Sequence, residues 1–412
     1  MINRESMICA YDEYYSMDTF KTKVNNNMLV VGSSGSGKTR SIVKPNIYQE
    51  NTSYIISDPK GTLYREMRDD LLNAGYKVKV LDFTNPEKSN HYNFFRYLNS
   101  EQDIIRIANI LSASSNPNAV CDPFWEHTAR MLVADMISYI RDIAPIGSQN
   151  MERLMQMMTC CGECIGTTGG RDRYKTDLYM EIDDDKISSF TRNQYKMLRT
   201  SGDKTWHSIV ISALAPFGMY GSPQLLNMLS GDGIDIASIG EEKTALFVIV
   251  SDTDRSMDKL ANIFYSQAMQ VLCMHADRNC RDGRLPVHVR FILDDFAANV
   301  KIDNFPSIIS TIRAREISAM LVVQSESQLE ATYGRDGNTI IGNCDTYVYM
   351  GGNDIGTSKS VAERCNVPVN RILNMPVGKC WIFRRGQEPK LREILNLDEY
   401  MKMREDTERE VS

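Results

Sequence analysis

The residues with the clearest chemical role form a glycine-rich segment, Gly-Ser-Ser-Gly-Ser-Gly-Lys-Thr, at positions 32–39. An apolar run from Met28 to Val31 precedes it, as in a buried parallel strand. A helical pattern follows over residues 38–49, in which Pro45 predicts a kink or an early end. Glycines let consecutive backbone N–H groups converge on a phosphate, and a helix N-terminus adds partial positive charge. The segment therefore predicts a P-loop.

Two side chains of this loop carry most of the predicted chemistry. Lys38 is expected to reach the β- and γ-phosphates, and the Thr39 hydroxyl to ligate Mg²⁺. A serine- and glycine-rich surface loop would not require a lysine and a threonine at these offsets between a strand and a helix. We therefore predict a bound nucleoside triphosphate. Its predicted contacts are Gly32, Gly35, Ser36, Gly37, Lys38, Thr39 and Arg40.

Two later strands end in polar residues that suit the same chemistry. The apolar run 287–293 ends in Asp294 and Asp295, the form of a Walker B element. Asp294 would hold Mg²⁺ beside Thr39, directly or through water, and Asp295 would polarise the attacking water as general base. The apolar run 318–323 delivers Gln324, an amide placed to sense the γ-phosphate.

Two further sets of residues admit more than one interpretation. Asp58 and Lys60 follow the apolar run 53–57, so they either face the phosphates, face a neighbouring subunit, or form an ordinary turn with an exposed ion pair. Arg313 and Arg315 precede the strand that ends at Gln324. One of them acts as an arginine finger in a ring, or pairs locally with Glu316.

The positions of the strand-like runs predict the elements that hold these residues. Residues 28–82 alternate strand, helix, strand, helix and strand, which is typical of a parallel α/β sheet, and strands return from residue 243. Residues 99–230 carry helical periodicity instead. We expect an α/β fold with a mostly parallel central sheet flanked by helices. Residues 1–98 and 231–412 would form its nucleotide-binding domain, and residues 99–230 an all-α inserted domain.

Composition narrows the class of protein. The chain has 412 residues, of which 42% are hydrophobic and 24% charged, and a net charge of −6, which argues against bulk coating of nucleic acid. No apolar run approaches a membrane span and no signal peptide is evident, so we expect an intracellular protein. The cluster Cys160, Cys161 and Cys164 lacks a second pair at zinc spacing. Basic residues of the predicted insert either contact nucleic acid or form a solvated face: Arg171, Arg173, Lys175, Arg192, Lys196, Arg199 and Lys204.

Several segments carry motifs that occur together in one known family. In chain order they are the asparagines at 25–27 with the P-loop, Asp-Pro-Lys-Gly at 58–61, Phe-Ile-Leu-Asp-Asp-Phe-Ala at 291–297, Thr-Ile-Arg-Ala-Arg-Glu-Ile-Ser at 311–318, Gln-Ser at 324–325 and Ile-Ile-Gly-Asn at 340–343. Together they resemble the TraG/VirD-type coupling proteins of conjugation and type IV secretion. The resemblance covers residues 25–390 and is strongest to the subgroup from integrative elements of Gram-positive bacteria. Asp-Pro-Lys-Gly and Ile-Ile-Gly-Asn are its most specific parts.

The resemblance implies a RecA-like P-loop NTPase motor interrupted by an all-helical domain and assembled as a homo-hexamer around a channel. It also implies that the protein uses ATP and Mg²⁺ to recruit a relaxase–DNA complex and to move single-stranded DNA, or protein, towards the secretion channel. Relaxosome and channel proteins are the implied partners. Arg313 matches the position of the family's arginine finger better than Arg315 does. Lys38, Asp295, Gln324 and Arg313 are thus the expected catalytic residues.

Two departures from the family pattern affect the expected function. The family usually carries glutamate where this chain has Asp295, and a shorter carboxylate predicts slow turnover. The family also has N-terminal transmembrane helices without a counterpart here. We therefore expect a cytoplasmic chain held at the inner face of the membrane indirectly, through partners. An FtsK-like double-stranded DNA translocase and a nucleotide-gated adaptor that scarcely hydrolyses are the alternatives.

Overall fold

A computed structural model describes residues 5–113, 122–298 and 300–411. The chain divides into two compact units. The first comprises Met1–Val80, Asp235–Asp258 and Ala268–Ser412, and the second Leu81–Ile234 and Lys259–Gln267. Their boundaries lie near residues 80 and 234, compared with 98 and 230 in the sequence-based division.

The first unit is built on a nine-stranded sheet, and its order brings distant segments together. The order is β13-β12-β11-β3-β10-β9-β4-β8-β5, and a separate hairpin pairs β1 with β2. The strands are β1 Ser6–Ala10, β2 Glu13–Ser16, β3 Met28–Val31, β4 Ser53–Ser57, β5 Lys77–Asp82, β6 Cys164–Thr168, β7 Arg171–Tyr174, β8 Thr244–Ile249, β9 Val289–Leu293, β10 Ile317–Val323, β11 Thr346–Tyr349, β12 Lys379–Arg384 and β13 Lys390–Glu393.

The strands β11, β3, β10, β9, β4 and β8 pair in parallel, whereas β12 and β13 add antiparallel. Every residue of β3, β4, β8, β9 and β10 is buried, as expected for parallel strands covered on both faces. This confirms the predicted α/β fold with a mostly parallel sheet. Since β10 lies between β3 and β9, the residues after these three strands meet at one edge of the sheet.

Helices cover this sheet and form most of the second unit. The helices are α1 Thr19–Thr22, α2 Lys44–Ile47, α3 Thr62–Asn73, α4 Glu101–Ser112, α5 Pro123–Ile143, α6 Met151–Cys160, α7 Lys175–Ile182, α8 Ser189–Leu198, α9 Asp203–Leu214, α10 Pro223–Met228, α11 Asp258–Asn279, α12 Phe305–Ile308, α13 Glu326–Tyr333, α14 Gly337–Gly342, α15 Ile355–Cys365, α16 Val369–Leu373 and α17 Leu397–Val411. In the described ranges no helix is both long and apolar enough to cross a bilayer.

The helical segment after the glycine-rich loop changes its helix type near Pro45, where a kink or an early end was predicted. Residues Thr39–Val43 form a π-helical turn, and α2 follows with Pro45 in its first turn. Proline has no N–H and cannot donate to the preceding turn, which accounts for the change in helix type near it. The segment still directs the start of the helix at the loop, which is what the predicted site requires.

The N-terminal segment forms a structure that the sequence patterns did not predict. It forms the hairpin of β1 and β2, and all five residues of β1 are buried. The side chain of Asn46 in α2 bonds both the N–H of Ile8 at 3.0 Å and its carbonyl at 2.8 Å. The sequence did not reveal β1 because a strand that is buried throughout lacks the alternation of apolar and polar residues.

The second unit is helical around α5, which packs against α4, α6, α8 and α9. Trp206 is completely buried there, and its indole N–H donates a 3.0 Å bond to the carbonyl of Cys161. The all-α prediction missed one feature. Residues 164–174 form the antiparallel hairpin of β6 and β7, within the segment 99–230 that was predicted to be all-α. All five residues of β6 are exposed, so this strand has no buried face and its sequence shows no hydrophobic strand pattern.

Most of the basic residues named for this unit lie in ion pairs. Arg173 pairs with Glu181, Lys175 with Glu163, Arg192 with Asp184 and Arg199 with Asp177. Each pair joins oppositely charged groups within the same unit. This arrangement favours the interpretation of a solvated face over that of a nucleic-acid contact for these four residues.

Candidate nucleotide-binding site

The glycine-rich loop adopts a conformation that depends on its glycines. Gly35 and Gly37 have φ of 78° and 88°, in the left-handed region that side chains disfavour. At Gly32 a Cβ would lie 2.6 Å from Oγ of Ser36 and 3.0 Å from Cβ of Met350. The loop therefore keeps an open backbone cradle of the kind that binds phosphate.

Lys38 is folded back onto its own loop. Its Nζ donates to the carbonyl oxygens of Gly32 and, at 2.9 Å, Ser33. Burial lowers the pKa of the ammonium, and the carboxylates of Asp294 and Asp295 oppose that shift. A buried cation held only by carbonyl dipoles is suited to meet a phosphate, whose charge would compensate the cost of burial.

Thr39 and Asp294 meet at the floor of the site. The Thr39 hydroxyl donates a 2.7 Å hydrogen bond to Oδ2 of Asp294. Burial raises the pKa of the Asp294 carboxyl, while the bond from Thr39 acts in the opposite direction. Adjacent oxygen ligands in an octahedral Mg²⁺ shell lie about 2.9 Å apart, close to the observed separation. The hydroxyl and carboxylate thus fit a magnesium ion in both chemistry and spacing.

Asp295 lies in a turn with an uncommon backbone conformation. Its φ is 53°, and its N–H donates a 3.1 Å bond to Oδ1 of Asp294. Aspartate tolerates the left-handed region better than most residues with a Cβ, because its short side chain bonds locally. The backbone thus offers a physical reason for aspartate at this position.

Gln324 lies at the carboxyl end of β10, between the strands that carry the loop and Asp294. Its side chain is exposed, and its backbone N–H donates a 2.9 Å hydrogen bond to Oε1 of Gln328. The amide is therefore free of the sheet and borders the same cleft.

Asp58 has a role that the sequence did not reveal. Its carboxylate accepts from the N–H groups of Thr62 at 3.0 Å and Tyr64 at 2.9 Å, and so caps α3. It is 2% exposed, and burial raises its pKa despite these bonds. Lys60 lies 3.6 Å from Asp252 on the surface. The turn interpretation thus describes most of the contacts, although both residues border the cleft.

Most of the predicted site residues line one cleft of about 450 Å³, whereas Gly32 and Ser36 of the loop are not among its lining residues. Lys44, which the sequence analysis missed, also lines it and pairs with Glu66. Its position four residues after Arg40, on the same face of a helix, was the available signal. Arg40 itself pairs at 2.7 Å with Asp398 of α17. The lining residues are Ser34, Gly35, Gly37, Lys38, Thr39, Arg40, Lys44, Asp58, Pro59, Lys60, Thr62, Leu63, Asp294, Asp295 and Gln324.

Arg313 does not line this cleft. Its guanidinium donates a 3.1 Å bond to the carbonyl of Thr19. Arg315 forms two bonds to Asp277, at 2.8 and 2.9 Å. Glu316 pairs with Arg284 and His288, so the predicted local pair between Glu316 and one of the two arginines is not formed.

The sequence of this chain matches a known protein family. Residues 3–366 match the family described as "Type IV secretory system Conjugative DNA transfer". The chain belongs to this family. The match covers most of the chain and confirms the resemblance to conjugative coupling proteins.

Known proteins that are similar to this chain share a low percentage of identical residues with it. A conjugal transfer protein TraG of Rhizobium radiobacter is 20% identical over 348 residues, covering 82% of this chain and 52% of the relative. The chain thus spans about half the length of that curated relative. The plasmid coupling protein TrwB in complex with ADP and Mg²⁺ has a TM-score of 0.68 at 16% identity, covering 96% of this chain and 90% of that one.

A second solved structure has a similar fold. VirB4 of Thermoanaerobacter pseudethanolicus has a TM-score of 0.59 at 12% identity. The similarity covers 97% of this chain and 99% of VirB4. At these identities the likenesses establish the RecA-like fold.

Two family segments outside the cleft meet each other. The N–H of Asn25 donates a 2.7 Å bond to Oδ2 of Asp345, and Nδ2 of Asn27 donates to the carbonyl of Asn343 at 3.0 Å. Oδ1 of Asn27 also accepts from the N–H of Ala319 in β10 at 3.0 Å. These asparagines tie the starts of β3, β10 and β11 together, so this part of the resemblance reflects structure more than chemistry.

Proposed function

We propose that this chain is the ATP-hydrolysing motor of a conjugative coupling protein. The observation that carries the proposal is the 2.7 Å contact between Thr39 and Asp294, with Lys38 in the same cleft. This arrangement supplies a cation for phosphates and a hydroxyl–carboxylate pair for Mg²⁺. The RecA-like fold and the family membership support the same conclusion.

Each residue has a defined task in the proposed hydrolysis. Lys38 would leave its loop carbonyls to bind the β- and γ-phosphates, and Thr39 and Asp294 would hold Mg²⁺. The bound metal would neutralise the charge on the phosphate oxygens. Asp295 accepts a proton from the attacking water, and the amide of Gln324 orients that water or reports loss of the γ-phosphate.

The family membership supports a proposal for the cargo and the assembly. We propose that residues 1–98 with 231–412 form the motor and residues 99–230 the helical insert that recruits a relaxase-bound single strand. Relaxosome and secretion-channel proteins would be its partners, and association with the membrane would be indirect. A homo-hexamer would bring Arg313 to the neighbouring cleft, since Arg313 lies outside its own.

Steady-state ATP hydrolysis, measured against protein concentration with and without single-stranded DNA, tests this function. We expect specific activity to rise steeply with both, because sites shared between subunits form only in the assembly. Lys38→Ala should abolish activity, whereas Lys77→Ala, which removes an exposed lysine outside the cleft, should retain most of it. Equal stimulation by blunt double-stranded DNA would favour the FtsK-like alternative. Flat activity with intact nucleotide binding would overturn the motor.

A nucleotide-gated adaptor is the second candidate, and Asp295 favours it. A carboxylate one methylene shorter than glutamate is expected to activate water less well, and its left-handed backbone restricts its replacement. Turnover of Asp295→Glu compared with wild type separates the two functions. A large gain would mean that the natural chain is tuned for binding, and an unchanged or lower rate supports the motor.

A further inference from the structure

Three side chains with metal-binding atoms converge on the surface of the first unit, away from the nucleotide cleft. They are Glu241, His275 near the end of α11, and Cys280 directly after that helix. Nε2 of His275 lies 2.5 Å from Oε1 of Glu241, and Sγ of Cys280 lies 3.7 Å from the same oxygen. The three ligand atoms all lie within 4.8 Å of one another.

The backbone that carries Glu241 is fixed by tight packing. The carbonyl of Gly240 accepts a 3.0 Å bond from the N–H of Val287. A Cβ at Gly240 would lie 2.7 Å from Cδ2 of Leu285, so the chain passes too close for a larger residue. On the other side, the N–H of Gly283 donates to the carbonyl of Cys280 at 3.4 Å. The three ligands are therefore presented by well-anchored segments and not by a free loop.

The ligand types select a particular class of metal ion. Thiolate and imidazole suit Zn²⁺ and similar borderline ions, whereas Mg²⁺ prefers oxygen ligands. In a tetrahedral zinc site a thiolate sulfur and a carboxylate oxygen lie about 3.6 Å apart, and a nitrogen and an oxygen about 3.3 Å. The sulfur–oxygen distance already fits. The nitrogen–oxygen pair must open by less than 1 Å, which the half-exposed Glu241 side chain permits.

We propose that Glu241, His275 and Cys280 form a binding site for Zn²⁺, with water as the fourth ligand. The ion would replace the direct contact between His275 and Glu241 and join the end of α11 to the turn before β8. Within the described ranges this is the one group of three such side chains at metal-binding distance. The cysteines noted in the sequence do not form one: Cys161 is buried against the carbonyl of Met157, and Cys164 is exposed.

The site is separate from nucleotide chemistry. Glu241 precedes β8, so it lies at the amino ends of the parallel strands, whereas the cleft lies beyond their carboxyl ends. Zinc bound there would stabilise the fold without supplying a ligand to the phosphates. The competing explanation is a contact between His275 and Glu241 near the C-terminus of α11 that holds no metal ion.

Spectroscopy with Co²⁺ in place of Zn²⁺ tests the proposal on the whole chain, in a thiol-free reductant with excess Mg²⁺. We expect one equivalent of Co²⁺ to give a thiolate-to-metal charge-transfer band and tetrahedral ligand-field bands, both removed by one equivalent of Zn²⁺. Cys280→Ser should abolish the charge-transfer band, and His275→Gln should weaken zinc affinity by about tenfold or more in a chelator competition. Cys164→Ser, another cysteine outside the core, is the matched control and should change neither.

Two experimental results would each contradict the proposed zinc site. A band that persists in Cys280→Ser would overturn the site, as would zinc affinity equal in wild type and His275→Gln. Thermal unfolding of both variants without metal verifies that they fold. Because these readouts do not involve ATP, their result is independent of the proposed function.

Discussion

The hydroxyl of Thr39 and the carboxylate of Asp294 are 255 positions apart in the sequence, yet they share a 2.7 Å hydrogen bond. The loop before Thr39 follows β3 and Asp294 follows β9, which are not neighbours in the sheet. The intervening β10 separates the two strands by two strand spacings, and the loop and its helix bridge that gap. The bond joins the phosphate-binding and metal-binding halves of the site.

Asp294→Asn should remove Mg²⁺-dependent hydrolysis, because the amide keeps the shape but loses the charge that holds the metal. We expect turnover to fall by about 100-fold or more, with metal-free nucleotide binding largely retained, since Lys38 is untouched. Parallel measurements of ATP hydrolysis and nucleotide affinity with and without Mg²⁺ check this. Asp252→Asn, at an exposed aspartate, is the control. Full activity of Asp294→Asn would contradict the metal assignment.

Arg313→Ala should lower hydrolysis only in the assembled state. Its guanidinium lies outside its own cleft, so nucleotide affinity of the isolated chain should not change. In the assembly we expect a loss of about 1000-fold if it acts as an arginine finger. Arg315→Ala removes the pair with Asp277 and is the matched control, with stability affected more than turnover. Assembled Arg313→Ala protein that hydrolyses like wild type would rule out the finger.

Asp58→Ala should destabilise the first unit, because two N–H groups at the start of α3 lose their acceptor. Loss of such a cap costs about 1–2 kcal/mol in the free energy of unfolding. Denaturant unfolding measures this, and nucleotide affinity of the folded protein should change little. If affinity fell sharply with stability intact, the carboxylate would face the ligand rather than the helix.

Asp135→Asn should stabilise the second unit at neutral pH. Asp135 in α5 is fully buried, neither carboxylate oxygen has a hydrogen-bond partner, and burial, with Asp142 nearby, raises its pKa well above the ordinary value. A folded-state pKa above the unfolded one means that folding takes up a proton as pH rises past about 4. Stability should therefore fall by about 1.4 kcal/mol per pH unit in that window, up to the folded pKa.

The amide cannot ionise, so the variant should lack this component of the pH dependence. Denaturant unfolding at several values from pH 5 to pH 8 provides the comparison with wild type. The difference in unfolding free energy between variant and wild type should grow with pH. A constant difference over this range would mean that Asp135 titrates normally.

The sequence by itself determined the local chemistry of the site. A lysine and a threonine after spaced glycines, and an aspartate after an apolar strand, are local patterns whose geometry follows from the backbone. Gly35, Gly37, Lys38, Thr39 and Asp294 line one cleft, and their contacts with a nucleotide stay a prediction. The alternation of strands and helices likewise predicted the parallel sheet, because burial on both faces leaves continuous apolar runs.

Only the tertiary structure decided which distant residues meet. Asp58 caps a helix because α3 begins beside it, and Arg313 contacts Thr19 because the N-terminal segment folds against the sheet. The convergence of Glu241, His275 and Cys280 likewise depends on where α11 ends relative to β8. Such contacts depend on strand order and packing, and these are set by the sum of many weak interactions along the whole chain, which no local pattern contains.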